Sequence, residues 1–433
     1  MERSSNNFKQ SLSGVEVLQV IKVMGKRDVR FKVRKLISMN NEDMACFSIV
    51  LFYIWQTGNF FIQRCFGGIK ILVIGMYLFL ALGVGLSLFT AMRKQVGYWL
   101  VSELTVLTCY LLSYIYGNTE ISTLINNISW TLVICVPIAL NFISIRNMSK
   151  FKKLLYMLAK PMILILCGTI FLEFIILKSN VGGYDMPVSY ALIFYCIVLC
   201  NNILEKIKIV DILCLLIGLG FDLLWGSRGT YICFAIFLIL KVLFDINSRK
   251  KKHILLICSM GAVLAGIVVL VIAQIYYSSG VGSELIRFRS LSKLLSGELF
   301  RSDSRLKLYS YYAGMMLEKP FLGWGVTGGW LDSQNYPHNF VLELWMAFGI
   351  IPGMLILLVL MFAICYILKD GCKQERTLFL IYFSNAFSLI VSGTFLQNMS
   401  FFMCIYLGIC CMRCKIPRYG SDKLVRKEEI NVL

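Results

Sequence analysis

Charge is scarce in this sequence. Only 15% of its 433 residues are Asp, Glu, Lys or Arg, against roughly 25% in a water-facing globule. Hydrophobic residues make up 58%, and the mean hydropathy is +0.74. This excludes a string of soluble domains, although the length alone would hold two or three. Acidic residues are scarcer still, 24 against 43 basic ones. In a soluble chain a net charge of +19 would point to nucleic acid. Here the basic residues fall in short segments between apolar runs, so the charge reads as membrane topology and no nucleic-acid partner is expected. Histidine occurs twice, as His253 and His338, which leaves few side chains able to move a proton near neutrality.

Ligand spacing is missing too. The sixteen cysteines include Cys109, Cys135, Cys167, Cys214 and Cys258, which stand singly in apolar segments and behave there as small hydrophobes. Cys410, Cys411 and Cys414 cluster at the end of the last apolar run, where filler, palmitoylation and a metal remain open readings. Neither a disulfide framework nor a metal is expected, and no cofactor. No cleavable signal peptide is expected, because a long polar and basic stretch precedes the first apolar run.

What the chain does have is a series of apolar runs near the length of about 20 residues that carries a helix across a membrane. They lie at 44–62, 69–91, 97–116, 122–145, 154–177, 187–204, 209–226, 229–246, 254–277, 341–368, 377–393 and 396–412. The fold class predicted is an all-α polytopic membrane protein of about twelve transmembrane helices. The short eleventh and twelfth runs also read as a re-entrant pair. Lysine and arginine collect in alternate loops, as at Arg93-Lys94, Lys150 to Lys153, Lys206 to Lys208 and Arg249 to Lys252. The positive-inside rule then puts both termini in the cytoplasm. The organisation expected is a basic tail 1–43, helices over 44–277, a large extracytoplasmic loop 278–340, helices over 341–412 and a second basic tail 413–433.

A loop of that size is normally functional. Within it, Leu306, Tyr309, Tyr312, Ala313 and Met316 recur at helical spacing over 304–319. Ser304 is placed as a cap and Pro320 as the stop. The same face of the membrane receives the turn Gly226-Ser227-Arg228-Gly229. Arg228 either snorkels, pairs with Asp222, or grips planar phosphate oxygens through two parallel bonds. Arg305 opens the amphipathic helix and is the second candidate cation.

The stretch Lys319 to Gly329 is glycine-rich but lacks the lysine and hydroxyl of a nucleotide-binding P-loop, so a tight turn is the better reading. Its Gly323 and Gly325 still offer backbone N–H groups to an anion. His338, in Tyr336-Pro-His-Asn339, sits where the loop re-enters the membrane. It serves either as a general base or as a structural histidine, with Asn339 orienting its ring or capping the next helix. Glu173, Asp222 and Glu343 fall toward the outer ends of their runs, lining a cavity or neutralising arginines. Glu103 and Asp211 lie nearer the inner ends, and Lys241 is read as snorkelling.

Taken together, Ser227-Arg228-Gly229, Arg305 ahead of Glu318 to Gly325, Pro337-His338-Asn339 and Phe348 to Gly353 resemble the O-antigen ligase and Wzy polymerase superfamily over roughly 205–412. The resemblance implies a glycosyltransferase C-type membrane fold in a bacterial cytoplasmic membrane, with the site on the extracytoplasmic side. It implies a donor glycan on undecaprenyl pyrophosphate, Arg228 and Arg305 on the pyrophosphate, and His338 activating an acceptor hydroxyl. Asn339, Gly323 and Gly325 join them at the substrate, with Tyr336 and Trp324 in support, Trp324 as a sugar-stacking ring or as packing. Inversion without metal or nucleotide-sugar is expected. Repeat-unit polymerase is the first reading, O-antigen ligase the second, and a lipid-oligosaccharide flippase or transporter the third. A chain-length regulator and a flippase are the protein partners such a role implies.

Overall fold

The computed structural model describes residues 40–67, 69–116, 121–173, 186–245, 303–330 and 336–415. The ninth predicted run, His253, the first part of the long loop and most of both tails lie outside the described residues. Within them the chain is helical and no strand occurs. The helices are α1 (Asn41–Cys65), α2 (Lys70–Lys94), α3 (Val96–Tyr116), α4 (Ile121–Ile143), α5 (Met148–Phe171), α6 (Met186–Glu205), α7 (Ile209–Trp225) and α8 (Arg228–Phe244). There follow α9 (Asp303–Glu318), α10 (Phe340–Phe348), α11 (Ile350–Asp370), α12 (Lys373–Ala386) and α13 (Met399–Lys415).

Seven of these, α1 to α6 and α11, are long and apolar enough to cross a membrane. The protein is therefore a multi-pass, all-α membrane protein. Its exterior confirms the solvent: Leu78, Val101, Val359 and Phe362 are all about two-thirds exposed, while polar side chains lie within. In the interior Ser48 and Ser87 hydrogen-bond to each other, and Asn141 Nδ2 donates to Ser87 Oγ at 2.8 Å. Such bonds hold helices together where lipid removes the hydrophobic drive between them. Beside them an aromatic core of Phe52, Tyr53, Phe194 and Tyr382 is buried.

Three local features depart from the sequence reading. The single run expected at 341–368 is divided at Gly349, whose φ of 85° ends α10; a side chain there would strike the Phe321 and Pro320 carbonyl oxygens. Ser304 lies inside α9, which begins at Asp303, so it is not the cap. Lys241 does not snorkel. It is buried and paired with Asp245, whose carboxylate also accepts from Thr377 Oγ1 at 3.2 Å.

The ends of the bundle are distinct. One gathers Asp43 with Lys150, Lys152 with Glu205 at 2.7 Å, and Lys160 with Asp211 at 3.2 Å. The first two pairs join segments that the charge pattern assigns to a single side, and Lys160 and Asp211 stand in the adjoining runs 154–177 and 209–226. The opposite end holds the candidate site.

Candidate functional site

The site is organised by a break between two helices. α12 stops at Ala386, the chain makes a 3-10 turn over Phe387–Ile390, and Gly393 takes a φ of 81°. Thr394 then caps a second 3-10 turn, Phe395–Gln397, by accepting from Leu396 N at 3.2 Å. A broken backbone inside a membrane is stable only when its freed polar groups find partners in protein. α4 supplies them. Thr131 Oγ1 donates to Leu396 O at 2.7 Å, Trp130 Nε1 to Gln397 O at 3.2 Å, and Asn127 Oδ1 accepts from Gln397 Nε2 at 2.9 Å. α4 is itself irregular here. Trp130–Cys135 is a π-turn in which Val136 N reaches Thr131 O, just ahead of Pro137, which has no N–H to continue the ladder.

Both candidate turns lean on this break. Asn339 caps α10, its Oδ1 accepting from Leu342 N at 3.1 Å, while its Nδ2 donates to Ile390 O at 3.3 Å. One residue further along the break, Val391 abuts Gly229, where an added methyl would come within 2.9 Å of Val391 Cγ2 and overlap the Tyr190 hydroxyl. The Arg228 turn and the His338-Asn339 turn are thus brought to adjacent residues of one segment. Glu343, buried in the first turn of α10, fastens the other side of the break by accepting from Thr394 Oγ1 and from Phe395 N at 3.3 Å.

Arg228 is the first residue of α8, behind the Ser227 cap whose Oγ accepts from Gly229 N at 3.3 Å. Asp222 is fully buried, and its described partner is Thr230, whose Oγ1 donates to Oδ2 at 2.6 Å across the turn. Arg305 is the third residue of α9, a helix that packs on α10. Both arginines therefore begin helices, where the backbone dipole adds positive charge. Glu173 is buried at the end of α5, where that helix meets α1 through Cys65 Sγ and Thr169 O.

The glycine-rich turn is a helix cap. Trp324 N donates to Met346 O at 2.7 Å and Gly325 N to Ala347 O at 3.1 Å, satisfying carbonyls at the end of α10. Gly323 N donates to Lys319 O at 3.0 Å and Val326 N to Ser113 Oγ at 2.7 Å. The N–H groups of Gly323 and Gly325 that were expected to meet an anion are committed to these bonds. Trp324 is packed, with Lys319 Nζ 4.0 Å over its ring and its Nε1 donating to Met315 O at 2.8 Å.

His338 has a φ of 52°, a conformation uncommon in residues other than glycine. Its ring centroid lies 3.9 Å from that of Tyr336. The sequence reading missed the 388–398 break as the common support. Its signal was the polar composition of Ser392-Gly-Thr and Gln397-Asn between two short apolar runs.

No curated protein matches the chain. Residues 213–358, from α7 into α11, match the Wzy_C family model, described as O-antigen ligase. That stretch, about a third of the chain, contains Arg228, Arg305, Glu343 and His338. Over that stretch this membrane protein is similar to the Wzy_C, or O-antigen ligase, family.

Proposed function

We propose that this protein is a membrane glycosyltransferase that moves a glycan from undecaprenyl pyrophosphate onto an acceptor hydroxyl at the extracytoplasmic face. The observation that carries the reading is the convergence of the Arg228 turn and the His338-Asn339 turn, both from the family-matched residues 213–358, on Ile390 and Val391. Pyrophosphate is a good leaving group, so the chemistry needs positive charge where negative charge develops. Arg228 and Arg305, each in the first turn of a helix, supply it. His338 takes the proton of the acceptor hydroxyl as that oxygen attacks the anomeric carbon and the pyrophosphate departs with the bonding pair. A single displacement of this kind inverts the anomeric centre.

The acceptor divides ligase from polymerase, and the donor chemistry is common to both. The sequence reading put polymerase first. The family's description names ligation and supports the alternative, so transfer to an acceptor such as lipid A core is the function we put forward. Deletion followed by analysis of the lipid-linked pool tests this choice. Long lipid-linked chains accumulating without transfer would support a ligase. Single repeats accumulating instead would return the assignment to polymerase.

A further inference from the structure

We propose that Trp330 and Tyr336 form the subsite that holds the acceptor's sugar ring beside His338, an inference that rests on the glycosyl-transfer reading above. The ring of Tyr336 lies 5.1 Å from that of Trp330 at an interplanar angle of 32°, and 3.9 Å from that of His338 at 44°. The three half-buried rings make one continuous aromatic wall. Its far end is anchored. Trp330 packs against a small apolar cluster of Tyr110, Val326 and Ala347, and its backbone N–H donates to Thr327 O at 3.4 Å, closing the glycine-rich turn.

A pyranose presents C–H groups on its faces and hydroxyls around its rim. Aromatic rings offer large, rigid contact area at small conformational cost, and a partly open ring wall lets the hydroxyl rim stay hydrated. A sugar lying on Trp330 and Tyr336 has its rim directed at the next ring in the wall, which is His338. Proximity of this kind is what turns a weak base into an effective one. A polyprenyl tail, being apolar all round, would call for an aliphatic groove.

The experiment uses full-length protein in nanodiscs and the free oligosaccharide of lipid A core, the acceptor put forward above, with saturation-transfer difference NMR and acceptor KM measured side by side. Trp330→Leu, which keeps apolar bulk for the cluster, should abolish the saturation signal and raise acceptor KM about tenfold, the change that 1.4 kcal/mol produces, with kcat little altered. Trp330→Phe should restore most of both. His338→Ala should lose transfer yet keep the saturation signal. That arm separates failure of the subsite from failure of the transfer reading. Unchanged glycan binding in Trp330→Leu, or a loss confined to kcat with a displaced pH profile, would overturn the subsite and leave the rings as packing for His338.

Discussion

Glu343 accepts hydrogen bonds from Thr394 and Phe395, 51 and 52 residues further along the chain, and is buried while doing so. One carboxylate in the first turn of α10 thus fixes the break between α12 and α13 against the helix that follows His338. Glu343→Ala leaves a hydroxyl and an N–H buried without an acceptor, at about 1–3 kcal/mol each. The expected result is a clear drop in the thermal midpoint in detergent, with Glu343→Gln losing less. A double-mutant cycle with Thr394→Val should be non-additive.

Arg228→Lys tests bidentate phosphate contact. Lysine keeps the charge but is a point donor without the planar fork, so turnover should fall by roughly tenfold or more, equivalent to about 1.4 kcal/mol of transition-state stabilisation. Expression and midpoint should be retained. The same substitution at Arg305 should act in the same direction. Full turnover in both variants would mean that neither arginine grips the leaving group through two bonds.

Much of the architecture was legible in the sequence, because hydropathy and length fix where helices cross a membrane. α1 to α8 fall close to the runs predicted for them. α9 matches the amphipathic pattern over 304–319 to within a residue. The division at Gly349 was not legible, since no apolar scale distinguishes a glycine at φ 85° from one inside a helix. The roles of single polar residues were harder to read, because they depend on partners far along the chain. Asp222 accepts from Thr230 across the turn, a partner that the charge pattern does not indicate. Asn339 caps α10 as expected, but its second bond, to Ile390 O, could not be read from spacing.

Gly323 and Gly314 give opposite expectations for one substitution. Gly323 has a φ of 67°, and a methyl there would lie 2.6 Å from both Gly349 N and Met346 O. Gly323→Ala should therefore destabilise the protein by well over 1 kcal/mol, through clash added to the cost of a left-handed backbone. Gly314, inside α9 with open space around it, should give a stabilised Gly314→Ala variant, by up to about 1 kcal/mol. Thermal midpoints of the two variants check both signs.

His338→Asn separates backbone from chemistry. Asparagine tolerates a positive φ better than most residues, so the variant should fold with a midpoint close to that of the parent. It has no imidazole to take a proton, and transfer should fall by about 10²–10⁴, the usual contribution of a general base. Retained transfer would remove His338 from the chemistry.

The most direct test of the account is transfer by the purified protein in nanodiscs, supplied with an undecaprenyl-pyrophosphate glycan and its native acceptor, without nucleotide-sugar. The account predicts a glycosylated acceptor with inverted anomeric configuration and released undecaprenyl pyrophosphate, both lost in His338→Ala and sharply reduced in Arg228→Lys. Correctly folded protein that forms no product from these substrates, or forms it equally well in both variants, would contradict it.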